Sequence, residues 1–349
     1  MALVRFAIDC FRHSSARSAV IAMAVAVLTF VPLARAADPA PSPLSPQLTS
    51  LLRSVVKVHA YALPDSDSAK RLGMERNGNG IVVGQGGLIV TIGYLVTESM
   101  SVEIVDDNGR TRSASVVGYD AETGLALLRA PGLSGLAPIP LGNSQGLKAD
   151  APVAVAGAGG PKNAIPAVVV SRRAFAGSWE YLLENAIYTS PAYADWSGAA
   201  LISTDGKLLG IGSLFVNQAR SDSERMQGNV FVPAELLQPL LTEIAAKGKI
   251  TPQPHPWLGL NPSPHPGGLI IGRLSGRSPA LSAGLQRGDM VVALAGRPVE
   301  DLADFYRRVW AMGPPGIDVP LTVVREGRSF DVRVRSANRY QFLAKEQTY

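Results

Sequence analysis

The sequence predicts a mainly β chain: two β-barrels packed together, followed by a small α+β domain. Three observations carry that reading. Between residues 55 and 233, short β-branched and apolar runs alternate with Gly, Asn and Asp turns, the pattern of a barrel or sandwich, and the runs fall into two similar sets. Beyond residue 233 the period becomes helical, a Pro-rich stretch interrupts the chain, and a second β-rich region starts near 257. With 349 residues, 46% of them hydrophobic and only 17% charged, the chain can bury the cores of about two domains. Its 35 glycines and 26 prolines supply the turn conformations that so many short strands require.

At the N-terminus, Arg5, Arg12 and Arg17 precede an apolar run at 19–33 that ends in Ala34-Arg35-Ala36, a small-x-small pattern suited to signal peptidase. Residues 1–36 are therefore expected to be an export signal, which places the mature protein in the periplasm. An uncleaved membrane anchor is the alternative, but the run contains Thr29 and Pro32 and falls short of the roughly 20 apolar residues a span needs. No stable span is expected after cleavage. Residues 1–36 hold four arginines against Asp9, so they take +3 of the total +5 and leave +2 for the rest. The pI of about 9.4 is then no argument for nucleic-acid binding, and no basic stripe with interleaved aromatics supports one. Cys10 is the sole cysteine and lies in the signal, so no disulfide is expected. His59, His255 and His265 show no metal-ligand spacing; neither metal nor cofactor is expected.

Residues 37–50 read as a Pro-rich linker, with one or two helical turns at 47–54. The first set of strands is expected at 55–61, 80–84, 87–93, 101–110, 113–120 and 125–130, the second at 152–160, 164–173, 186–190, 198–204, 207–216 and 229–233. Leu236, Leu237, Leu240, Leu241 and Ile244 then fall at helical spacing, closed by Lys247-Gly248. Residues 249–256 contain three prolines and read as an interdomain linker rather than a packed element. In the last domain, 257–336, a helix over 301–312 carries Leu302, Phe305, Val309 and Met312 on one face, and residues 321–334 read as a hairpin turning at Glu326-Gly327. Residues 337–349 are expected to be a tail.

Residues 51–248 resemble the HtrA/Deg serine proteases segment by segment: SVVKV (54–58), GNGIVV (78–83), GGLIVT (86–91), VVGYDAETGLALL (116–128), LGNS (141–144), WSGAALIST with DGKLLGI (196–211) and GNVFVP (228–233). The resemblance implies a trypsin-like double β-barrel. Residues 257–336 resemble a bacterial PDZ domain, through GLIIGRL (268–274), SPALSAGL (278–285) and RGDMVVALAGRPV (287–299).

In that protease family a Ser, a His and an Asp carry out acyl transfer, the imidazole taking the serine proton and the carboxylate holding the imidazole. The family's T-N-N-H-V-V reads here Thr91-Ile92-Gly93-Tyr94-Leu95-Val96, so Tyr94 stands at the histidine position. T-D-L-A reads Thr123-Gly124-Leu125-Ala126, so Gly124 stands at the aspartate position. G-N-S-G-G-P-L reads Asp195-Trp196-Ser197-Gly198-Ala199-Ala200-Leu201; Ser197 alone is kept, as a vestigial nucleophile. Asp195 replaces the glycine whose N–H helps bind the tetrahedral oxygen, and its carboxylate would repel the charge developing there. A phenol with a pKa near 10 is a poor base at neutral pH. Neither His59, on an alternating strand, nor Lys207, in a turn, reads as a substitute base.

PDZ domains take a peptide C-terminus as an added strand, with loop N–H groups on its carboxylate. By resemblance the loop is Trp257, Leu258, Gly259 and Leu260, and the groove is flanked by Leu302, Phe305 and Val309. Two functions stand at this point. The first is an exported pseudoprotease that binds unfolded or C-terminal peptide segments as adaptor, chaperone or regulator, alone as a homo-oligomer or beside an active HtrA relative. The second is an active HtrA-like serine endopeptidase of periplasmic quality control with a non-standard base.

Overall fold

A computed structural model describes residues 46–133, 135–222 and 225–343. The expected export signal, residues 37–45 of the first linker and residues 344–349 of the tail lie outside the described residues. A first short helix, α1 (Pro46–Leu52), leads into β1 (Val55–Ala62), α2 (Asp67–Leu72), β2 (Glu75–Gly84), β3 (Leu88–Ile92), β4 (Ser99–Val105), β5 (Thr111–Asp120) and β6 (Leu125–Arg129). These six strands close into a barrel in the order β1-β2-β3-β6-β5-β4. Alternation dictates which side chains fill it: along β1, Val56, Val58, Ala60 and Ala62 are buried while Lys57 and Tyr61 face out.

The second barrel comprises β7 (Pro152–Ala156), β8 (Ala164–Gly177), β9 (Tyr181–Ser190), β10 (Ala200–Ser203), β11 (Leu208–Val216) and β12 (Gly228–Pro233), closed as β10-β11-β12-β9-β8-β7. Closure leaves neither sheet with a free edge. One apolar cluster runs through both barrels, from Val56 and Ile89 to Ile211 and Val232, which fixes the cleft between them. Helix α3 (Leu237–Lys247) lies on this core through Leu237, Leu240 and Ile244. It stops where Gly248, at φ +72°, caps it with an N–H to Ile244 O, a left-handed end that favours glycine.

The last domain is one sheet, β13 (Leu260–His265), β14 (Gly268–Leu274), β15 (Met290–Leu294), β17 (Asp318–Arg325) and β18 (Arg328–Arg335), with the short β16 (Arg297–Pro298) beside β15. Two helices accompany it, α4 (Pro279–Ser282) and α5 (Leu302–Ala311). Asp301 caps α5 by accepting from Asp304 N, and the helix buries Leu302, Phe305, Tyr306 and Val309 against the sheet.

Three expectations need correction. Residues 249–256 are extended but packed: Ile250 is buried against Gly118, and the His255 ring stacks on Trp310, 4.4 Å between centroids, while its Nε2 lies 2.9 Å from Glu122. The prolines forbid regular structure without forbidding burial. The tail is not free either, since Trp257 and Ala337 exchange backbone hydrogen bonds and Phe342 packs on the Trp257 ring at 4.8 Å. Finally, β8 and β9 run further than expected, forming a long hairpin whose tip, residues 177–181, reaches the last domain. Leu182 of this hairpin is buried within the apolar core of that domain, so the two cores are not separate.

Candidate active-site cleft and peptide groove

Strand β3 ends at Ile92 and passes into a single 3-10 turn, Gly93–Leu95, that points Tyr94 across the cleft to the second barrel. Gly93 makes this close approach feasible. Its N–H donates to Gly124 O at 2.7 Å, and a side chain there would collide with the Tyr119 ring. Gly124, in the turn between β5 and β6, is held by its own N–H to Asp120 O at 2.9 Å and has φ +72°. The Tyr181 ring fills the space beside it: an added Cβ would lie 3.2 Å from that ring. Gly124 is therefore a left-handed glycine against an aromatic wall.

Ser197 is presented by a loop fixed from the opposite barrel. Asn79 of β2 is fully buried; its side-chain amide donates to Asp195 O and Ser197 O at 2.8 and 3.1 Å, and its backbone N–H to Ser197 O at 2.7 Å. Thr91 Oγ1 donates to Asn79 O at 2.6 Å. Gly198, at φ +72°, lies so close that a Cβ would sit 1.9 Å from Asn79 O. Asn79 is a site residue that the sequence reading passed over, although it sits within the GNGIVV segment.

The hydroxyls of Tyr94 and Ser197 are 2.6 Å apart, and Tyr94 Oη also lies 2.8 Å from Ser213 O. A carbonyl only accepts, so the phenol proton goes to Ser213 O and the Ser197 hydroxyl donates to Tyr94 Oη. Among the described residues Ser197 Oγ has no other hydrogen-bond partner. Burial pushes Tyr94 up to about 12, with the nearby Asp195 charge acting the same way and the Ser197 hydrogen bond opposing it. Asp195 itself is exposed. The structure thus brings Tyr94, Gly124 and Ser197 to one cleft.

The residues expected to form the groove are buried, Trp257, Leu258, Leu260, Leu302, Phe305 and Val309, and Gly259 takes φ +77°. The loop expected to take a peptide carboxylate is occupied by a side chain of the chain itself. Leu258 N–H donates to Glu180 Oε2 at 3.0 Å, while Gly259 and Leu260 N–H donate to Oε1 at 2.5 and 2.8 Å. Trp257 takes no part in this cradle; its N–H goes to Ala337 O. Glu180, at the tip of the β8–β9 hairpin, is 6% exposed, and burial pushes its carboxyl up to about 7 against the three N–H bonds and the Arg339 charge. Nothing in the sequence singles it out, because a lone Glu in a turn has no periodicity and its partners lie 78 to 80 residues away.

Residues 78–211 match the trypsin-like peptidase domain family and residues 256–335 the PDZ domain family. The chain is 28% identical over 304 residues to the serine protease Do-like HtrA of Lactobacillus helveticus, spanning 78% of this chain and 71% of that one. It is 24% identical over 269 residues to the periplasmic serine endoprotease DegP of Salmonella typhimurium, spanning 74% of this chain and 56% of that one. In fold it is similar to a serine endoprotease from Yersinia pestis, with a TM-score of 0.50 at 20% identity, covering 86% of this chain and 99% of the other.

Proposed function

We propose that this chain, a trypsin-like peptidase domain joined to a PDZ domain in the HtrA/Deg family, is an exported pseudoprotease that holds peptide segments rather than cutting them. The observation that carries the reading is the Tyr94–Ser197 pair. A serine hydroxyl attacks a carbonyl only when a base takes its proton, and here it donates to a phenol whose own proton is committed to Ser213 O. With a pKa of about 12 the phenolate fraction at pH 7 is on the order of one in 10⁵. Gly124 supplies no carboxylate to orient a replacement imidazole, and no histidine side chain hydrogen-bonds Ser197 among the described residues.

Capture of unfolded or C-terminal segments falls to the PDZ domain, whose loop N–H groups converge on a carboxylate and are therefore suited to a chain terminus. The small-x-small pattern after the N-terminal apolar run and the periplasmic relative support action in the periplasm. No helix among the described residues is long and apolar enough to cross a membrane. Purified full-length protein incubated with casein tests the reading: no fragments are expected, and Ser197→Ala should retain the wild-type ability to bind client. Casein cleavage by the wild type that Ser197→Ala abolishes would establish the endopeptidase instead.

A further inference from the structure

The PDZ carboxylate site already holds a carboxylate, and that carboxylate belongs to the chain itself. We propose that Glu180 is a resident internal ligand of the PDZ loop, and that a peptide C-terminus enters only by displacing the β8–β9 hairpin tip. This rests on the reading that the groove takes peptide C-termini, and it adds what the groove holds before a client arrives.

The mimicry is chemical as well as positional. Both oxygens of Glu180 are served, Oε1 by Gly259 and Leu260 and Oε2 by Leu258, as a terminal carboxylate would be. An apolar side chain accompanies it. Leu182, two residues on in β9, is buried in the PDZ core. The tip is fastened from three sides. Tyr306 of α5 donates its hydroxyl to Gly177 O at 2.9 Å and accepts from Glu180 N at 3.2 Å. Arg307 grips Glu184 with two bonds of 2.7 Å. Arg339 donates to Trp179 O and Glu180 O.

Glu180 also takes φ +56°, a left-handed conformation uncommon for a side-chain-bearing residue, so its placement is imposed by these contacts rather than by local preference. The neighbouring Tyr181 packs on Gly124 and donates its hydroxyl to Thr123 O at 2.8 Å. One turn of chain therefore closes the peptide site with Glu180 and lines the cleft with Tyr181. A client that displaces the tip would uncover both.

The test uses the full chain as wild type, Glu180→Ala and Glu180→Gln, the last placing an amide donor against at least one loop N–H. Two quantities are read: hydrogen exchange at Leu258, Gly259 and Leu260, and calorimetric affinity for an Ala/Ser peptide of about ten residues ending in Leu-COOH. Glu180→Ala should exchange these three amides at least about 100-fold faster and Glu180→Gln, which keeps one acceptor oxygen, at least about tenfold faster, since each bond to a charged acceptor that is lost is worth about tenfold or more. Because apparent affinity scales with the open fraction, both should bind the peptide at least about tenfold more tightly than wild type. Should a variant fold poorly, Tyr306→Phe, which frees the tip without touching the loop, should show the same directions. Unchanged exchange overturns the proposal, and so does measurable peptide binding of equal strength in wild type and variants. Faster exchange with no peptide bound by any form sustains the internal ligand and instead refutes capture of C-termini.

Discussion

Replacing Tyr94 by Phe removes one oxygen and keeps the ring that packs against the barrel core. The account assigns that oxygen a structural role, because it ties the first barrel to two groups of the second, Ser197 Oγ and Ser213 O. Ser213 sits where the β11–β12 ladder slips register between Gly212 and Leu214, and it is only 5% exposed. Its carbonyl would be left without the phenol partner, which costs about 1–3 kcal/mol for a buried acceptor. The half-buried Ser197 hydroxyl can turn to water and adds little. At about 2–4 °C for each kcal/mol in a domain of this size, thermal unfolding of Tyr94→Phe should begin several degrees below wild type. Neither protein should turn over casein. An unchanged melting profile would show that the hydroxyl bond is not structural, and wild-type turnover lost in Tyr94→Phe would show that the phenol is chemical.

Three further outcomes follow from the same geometry. Tyr94→His combined with Gly124→Asp should not restore proteolysis of casein, because a side chain at φ +72° costs about 1–2 kcal/mol and presses on the Tyr181 ring; turnover within about tenfold of an active HtrA relative would contradict this. Gly198→Ala should yield unstable or insoluble protein, since its methyl would overlap Asn79 O; a melt within 2 °C or so of wild type would argue against the assigned loop geometry. Docking of the hairpin should weaken as pH rises from 4.5 to 7. The docked Glu180 carboxyl titrates near 7 and the released one near 4.5, so the docked state binds the proton more tightly and is favoured below that window. Arg339 is the charge facing it, and burial pushes the nearby Tyr306 hydroxyl up, away from this range. Exchange at Leu258, Gly259 and Leu260, corrected for its intrinsic pH dependence, should increase across the window in wild type and stay flat in Glu180→Gln; parallel profiles would contradict the assignment.

The barrels were legible because alternation and turn residues act locally. The runs expected at 125–130 and 229–233 appear as β6 and β12 with ends displaced by a residue. Leu237, Leu240 and Ile244 turn inward as their helical spacing requires. The cleft was legible for a different reason: the segments around Tyr94, Gly124 and Ser197 keep the order and spacing that bring the corresponding positions together. What escaped were contacts between segments distant in sequence. Proline content marked 249–256 as a linker, yet Ile250 finds a niche only because Gly118 has no side chain. The residues after 336 carry no periodic signal, and Arg339 and Tyr340 are ordered by partners at Trp179 and Ala121. Glu180 is the clearest case, since a carboxylate in a turn ordinarily faces water and its burial depends on a loop in another domain.

The central claim is that Ser197 has no base, and the most direct measurement is the intact mass of the purified protein after prolonged exposure to a fluorophosphonate at neutral pH. Such a reagent bonds covalently to a serine whose proton can be withdrawn, whatever the substrate preference of the cleft. The account predicts no adduct on wild type. A stoichiometric adduct on wild type that is absent from Ser197→Ala would contradict it.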